Sequence, residues 1–276
     1  MSKPSRKSVG KAIDKTNVKA QVADVALVHQ RREQIVEAAV ELFANQGFYR
    51  TTVQEVAKLA GMSTGSIYYY ARTKEDVLLL ALLSVLDSYK REIPKALEGV
   101  VDPLARLTAA VGAYARVIDE RRSATLLAYR STKALPPRQR AMIMDAERET
   151  NRMISDCLED CVTHGLVRDV NLDIATTLFV MMAHSWALKH WRLKDAVSLD
   201  EFIDGCFDIV FNGMLTKLGA RKFAAAKKAA LAAPSSVENV LAPSSKKGGK
   251  RTRPAASPTS PVRPERGKIR AGQPGP

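Results

Sequence analysis

The chain has only three cysteines in 276 residues, Cys157, Cys161 and Cys206. An odd, sparse set gives no disulfide framework and fits a reducing compartment. No apolar run reaches about 18 residues, so no membrane-spanning helix is expected. The N-terminus is basic but has no apolar core, which excludes a secretory signal. A cytoplasmic protein is the expectation. Catalytic signatures are missing as well: there is no Ser-His-Asp arrangement, no phosphate-cradling glycine loop and no paired carboxylates. The chain is therefore not expected to be an enzyme, and no cofactor is implied. Cys157, Cys161 and His164 share one helical face at i, i+4 and i+7. That spacing can hold a metal, but no fourth ligand is evident and cysteine is a common core residue, so no metal is expected.

Charge is plentiful but uneven. Residues 1–32 carry eight Lys/Arg against two acids, and residues 221–276 carry thirteen against two. Between them, residues 33–220 hold 22 basic and 25 acidic side chains. The middle of the chain is thus nearly neutral and both ends are basic. Basic ends serve solubility, or they add salt-dependent, sequence-independent attraction to a phosphate backbone. Residues 1–28 read as a basic disordered arm. From 221 onward the Ala-, Lys-, Pro- and Ser-rich texture reads as a second disordered tail, too poor in apolar surface to offset chain entropy.

The densest information lies between Thr51 and Leu78. Thr51 and Thr52 can each cap a helix, with Gln54 and Glu55 three residues on. Val53, Val56, Ala57 and Ala60 form one apolar face, and Gly61 supplies a turn. Ser63 caps the next short helix, anchored by Ile67. Thr64, Gly65, Ser66, Tyr68, Tyr69 and Tyr70 fill the rest of it, small residues beside flat hydroxyl-bearing ones. Small residues permit close backbone approach to bases, and tyrosines offer hydroxyls to phosphates and faces to sugars and thymine methyls. Thr73 caps a further helix with Asp76 three residues on, and Lys74 sits at its first turn, placed to meet a phosphate.

These residues resemble the DNA-binding domain of TetR-family transcriptional regulators. The resemblance rests on Ile35, Ala38, Ala39, Leu42, Phe43, Gly47 and Phe48, on Thr51, Thr52 and Val53, on Ala60, Gly61, Ser63, Gly65, Ile67, Tyr68 and Tyr69, and on Lys74, Glu75 and Asp76. One departure is Ala71, where the family often has Phe, which implies looser packing of the third helix on the fourth or compensation elsewhere. The resemblance implies DNA contacts at Arg50, Thr52, Ser63, Thr64, Gly65, Ser66, Tyr68, Tyr69, Tyr70 and Lys74.

Helical signals continue to residue 218. A helix over about Lys74–Ile93 is expected to end at Pro94. Asp102-Pro103 starts another, and others are expected near 124–133, 138–164, 171–193 and 199–218. No segment reads as a strand, so the fold is all-α: a three-helix helix-turn-helix domain at 29–75 and a larger ligand-binding and dimerisation domain at 76–220. By resemblance, the helices at 171–193 and 199–218 build a homodimer's four-helix bundle. A pocket between helix four and that bundle is implied, lined by apolar and aromatic residues that include Tyr114, Tyr129, Met181 and Trp186. The stretch from Tyr129 to Glu149 also resembles regulators of fatty-acid and steroid breakdown. That likeness implies an acyl-CoA thioester whose acidic headgroup meets Arg130, Arg148 or Arg152. The expected protein is a dimeric repressor that reads a palindromic operator in double-stranded DNA and leaves it on binding a small apolar or acyl-CoA-like effector. The alternative is a nucleoid-associated protein that coats DNA through its basic ends.

Overall fold

The computed structural model describes residues 25–232, and side chains over 27–229. Of the arm expected at 1–28, residues 1–24 lie outside the described residues, as does the tail from 233, while 25–28 are not disordered but form the first turn of α1. Among the described residues, eleven α-helices run in order: α1 (Val25–Gln46), α2 (Val53–Leu59), α3 (Thr64–Tyr70), α4 (Lys74–Leu97), α5 (Pro103–Glu120), α6 (Arg122–Ser131), α7 (Pro137–Thr163), α8 (Leu172–Leu188), α9 (His190–Leu193), α10 (Leu199–Met214) and α11 (Lys217–Ala232). A 3-10 turn follows α6. The described residues contain no strand, only an isolated bridge between Val167 and Leu215.

Helices α1–α3 form a small N-terminal bundle that buries Ile35, Ala39, Phe43, Val56 and Ile67, all nearly inaccessible, and α1 packs it on α4. Helix α5 is the axis of the larger layer. It touches α4, α7, α8 and α10, so Leu107, Ala110, Val111, Tyr114, Val117 and Ile118 are all buried. A helix covered on most sides must be apolar on most sides, and α5 is. Among the described residues, no helix is long and apolar enough to cross a membrane.

Several boundaries differ from expectation for local physical reasons. Helix α4 does not stop at Pro94 but continues to Leu97. A proline costs the bond to the carbonyl four residues back. Here Ile93 is fully buried and Ala96 and Leu97 pack on the core, which outweighs that loss. The chain turns only at Gly99, with φ of +72°. The helix expected over 171–193 is two helices, broken at Lys189. Helix α10 ends at Met214, where the chain crosses to Leu166: the amide of Thr216 donates to the Leu166 carbonyl at 3.0 Å.

The largest correction is α11. Composition predicts disorder from residue 221, yet the chain is helical to Ala232. Alanine and lysine have high intrinsic helix propensity, and tertiary contacts add to it. Phe223 meets the Phe211 ring edge-on at 4.9 Å, Lys227 reaches Asp208 at 2.5 Å and Lys222 reaches Asp102 at 3.5 Å. Docking also needs Gly219, because a Cβ there would lie 2.0 Å from the Leu166 carbonyl oxygen. Gly219→Ala is expected to undock α11 while the rest of the fold survives. Tryptic cleavage after Arg221, followed by mass spectrometry, should then accelerate by about tenfold or more; an unchanged rate would remove Gly219 from this role.

Candidate nucleic-acid interface

Helix α2 is started by Thr52, not Thr51. Its hydroxyl accepts from the Glu55 amide at 3.2 Å, and Glu55 accepts in return from the Thr52 amide and hydroxyl, each at 2.8 Å. The Thr52 backbone bond first, then its hydroxyl, holds the Glu55 carboxyl below its ordinary range. Thr51 is instead buried, and its hydroxyl donates to the Gly47 carbonyl at 2.9 Å. Helix α2 ends at Gly61, whose φ of +66° reverses the chain. Ser63 then caps α3, accepting from the Ser66 amide at 3.0 Å, with the two serine hydroxyls 2.7 Å apart.

On α3, successive side chains diverge by about 100°, so three tyrosines in a row cannot share a face. Ile67 and Tyr70, three apart, point inward at 0% and 6% exposure. Tyr68 and Tyr69 point outward at 43% and 50%. Tyr70 is expected from the sequence among the DNA contacts, and the structure corrects this: it is a core residue. The neighbouring Ala71 is fully buried as well, so the small side chain there leaves no exposed gap. Thr52, Ser63 and Gly65 are exposed, and Thr64 and Ser66 half-buried, on the side away from that core. Arg50 is exposed in the α1–α2 turn.

Lys74 is the second correction. Its ammonium donates to the carbonyls of Phe48 at 3.0 Å, Tyr49 at 3.2 Å and Thr51 at 3.1 Å, and lies 4.5 Å from the centre of the Phe48 ring. An ammonium has three donors, and all three are engaged. Lys74 ties the α1–α2 turn to the start of α4 and has no proton left for a phosphate. Sequence reasoning passes over a neighbour, Tyr49, 81% exposed in the same turn as Arg50. Its only local signal is a large aromatic outside any apolar period.

In the larger layer, Tyr114 and Tyr129 come together on His184. The Tyr114 hydroxyl is 3.0 Å from Nε2 and the Tyr129 hydroxyl 2.5 Å from Nδ1. Tyr89 stacks on Tyr114 with ring centres 4.0 Å apart. Desolvation raises the pKa of all three tyrosines and of Glu147. Desolvation also lowers His184, from 6.5 to about 4. A neutral imidazole has one donor and one acceptor, so one tyrosine must donate and the other accept. The other expected ligand residues do not join this cluster. Trp186 is buried and satisfied, its indole N–H donating to Asp119 at 2.7 Å. Met181 is exposed on the outer face of α8. Arg130 is exposed on α6, Arg148 and Arg152 are exposed on α7, and Arg148 is paired with Asp145. Cys157 and Cys161 are buried thiols pushed up in pKa, Cys161 to about 12. No metal-holding group of His, Cys, Asp or Glu occurs among the described residues.

The histidine has a measurable consequence. The unfolded chain protonates His184 near pH 6.5, whereas the folded protein does so only near pH 4. Between these values the unfolded state binds more protons, so stability falls as pH drops through this window and levels off below it. The Glu147 carboxyl, raised in pKa, acts in the opposite sense, so the histidine contribution is read by difference. Urea titrations should show wild type losing about 3 kcal/mol more than His184→Gln between pH 7 and pH 4. Parallel curves would place the imidazole in contact with solvent.

A capped two-helix turn, an outward face of small residues and tyrosines, and an all-helical second layer define a helix-turn-helix transcriptional regulator that binds DNA. Residues 35–81 match the family model for bacterial regulatory proteins of the tetR family, and residues 100–214 match the tetracyclin repressor-like C-terminal domain. The chain belongs to the TetR family. It is 44% identical over 214 residues to the transcriptional regulator HbdR of Aromatoleum sp. (strain CIB), covering 78% of this chain and 93% of HbdR. It is 26% identical over 162 residues to the transcriptional repressor KstR2 of Mycolicibacterium smegmatis, covering 58% of this chain and 78% of KstR2. Among solved structures, AibR in complex with isovaleryl coenzyme A and operator DNA superimposes with a TM-score of 0.56 at 19% identity, over 66% of this chain and 96% of AibR. That likeness is one of fold.

Proposed function

We propose that this regulator is a homodimeric repressor that reads an inverted-repeat operator through α3 and releases it on binding a small, largely apolar or acyl-CoA-like effector. The observation that carries the reading is the two-sidedness of α3. Ile67 and Tyr70 are locked into the core while Ser63, Gly65, Tyr68 and Tyr69 face outward. Arg50, Thr52, Thr64 and Ser66 complete the DNA face; Tyr70 and Lys74 leave it.

Dimerisation is supported by a second face on α8. Phe179, Ala183 and Trp186 are buried on one side. Ile174, Leu178, Met181 and Leu188 stand exposed on the other, as does Ile209 on α10. A continuous exposed apolar stripe marks an interface, and a two-fold pair would present two recognition helices to two half-sites. The effector reading rests on the Tyr89–Tyr114–His184–Tyr129 cluster, drawn from α4, α5, α8 and α6. It is supported by the isovaleryl coenzyme A bound in AibR, and the repressor reading by KstR2's name as a repressor. As a chromosome-binding protein it works in the cytoplasm. Selection of bound sequences from random duplex DNA should return an inverted repeat, and acyl-CoA thioesters added to that complex should release it. Equal affinity for all duplexes would overturn the operator reading. Release by free acids but not thioesters would overturn the effector class.

A further inference from the structure

Between the effector layer and the recognition helix lies one polar contact with an unusual arrangement. Gln139, in the first turn of α7, donates from Nε2 to Asp76 Oδ1 at 2.6 Å. The other oxygen of the same carboxylate, Oδ2, accepts from the backbone amides of Arg72 at 3.0 Å and Thr73 at 3.2 Å. The amide of Asp76 donates in turn to the Thr73 hydroxyl at 3.0 Å. Arg72 and Thr73 are two of the three residues that join α3 to α4, with Ala71. One carboxylate thus holds the α3–α4 turn with one oxygen and receives α7 with the other.

We propose that Gln139 is a positioning residue: through Asp76, α7 sets the orientation in which α3 is offered to DNA. Three observations support this. An ionised carboxylate only accepts, so the Gln139 amide must present its NH2 group to Asp76 and its carbonyl elsewhere. That carbonyl oxygen is buried and has no hydrogen-bond partner. An unpaired buried acceptor costs free energy in the arrangement that buries it, so undocking Gln139 regains part of what its bond to Asp76 contributes, which suits a contact that can be made and broken. Finally, α7 reaches the interior of the effector layer. It packs on α4, α5 and α8, it carries Glu147, whose charge acts on Tyr89, Tyr114 and Tyr129, and Lys90–Glu149 at 2.6 Å ties it to α4 farther along. A shift of α7 against α4 therefore acts on Asp76 through the Gln139 bond, and through Asp76 on the turn that ends α3. The inference rests on α3 being the DNA-reading helix.

The test uses the full-length protein and, as probe, the duplex that wild type selects from a random pool. Gln139→Glu sets two carboxylates against each other. It should weaken binding by about tenfold and speed hydrogen exchange at the Arg72 and Thr73 amides. Asp76→Asn combined with Gln139→Glu reverses the polarity of the bond. The carboxamide introduced at position 76 can still cap the turn through its carbonyl, while its NH2 donates to the carboxylate introduced at position 139. The double variant should return to within about threefold of wild type. Gln139→Met removes the donor without adding charge and should also weaken binding; it decides the matter if the glutamate variant does not fold. The proposal is overturned if the single variants bind and exchange as wild type does, if affinity falls without faster exchange at Arg72 and Thr73, or if the double variant does not recover. If wild type selects no sequence, the reading of α3 fails, and the amide exchange alone decides whether Gln139 holds the turn.

Discussion

Alanine at both Tyr68 and Tyr69 should lower affinity for the selected operator by about a hundredfold to a thousandfold and leave the fold intact. The two rings are 43% and 50% exposed, so their loss opens no core cavity. Each contact to a base or its neighbouring backbone contributes about 1–3 kcal/mol, and two such contacts give a drop of this size. Fluorescence anisotropy measures it, and the thermal midpoint should move by no more than about 2 °C. Tyr70→Ala provides the contrast. Tyr70 is 6% exposed and packed in the core, so its truncation should destabilise the protein by about 3–5 kcal/mol. The adjacent tyrosines should therefore separate into recognition and packing. If Tyr68 and Tyr69 could be removed with no change in affinity, α3 would not be the reading helix.

A charge at Leu178 should split the proposed dimer. Leu178 is 54% exposed between Ile174 and Met181 on the outer stripe of α8. The inward side of the same helix packs Phe179 into the core, and Leu178 takes no part in that core. An aspartate there must be desolvated if the stripe is buried against a second copy, at a cost of several kcal/mol. Sedimentation should show Leu178→Asp as a folded monomer. Operator affinity should fall by about a hundredfold or more, because the two recognition helices would no longer be linked. A variant that sediments with wild type would move the interface elsewhere.

How far such conclusions are legible in the sequence depends on the distance between the residues involved. Thr52, Ser63, Thr73 and Asp102 each cap a helix through a bond to an amide three residues away, and spacing of that kind is written in any linear stretch. The turn at Gly61 is legible for the same reason, since only its own φ matters. Lys74 is misjudged from sequence because its partners, the carbonyls of Phe48, Tyr49 and Thr51, lie 23 to 26 residues upstream. A lysine beside a helix start looks identical from either side of that distance. Helix α11 escapes notice because alanine and lysine without context resemble a solvated tail. Its order depends on Phe211, Asp208 and Asp102.

The sequence alone determined the all-helical fold, the caps and turn that bound α2 and α3 to within a residue, and the family to which they belong, because caps, turns and apolar periods are interactions among near neighbours. The tertiary structure alone decided which tyrosines face out, that Lys74 clamps a turn, that His184 joins tyrosines 55 and 70 residues distant, and that Gln139 meets Asp76. A helix rotates each residue by about 100°, so neighbours in the chain point in different directions, and only packing against distant segments fixes which direction is buried.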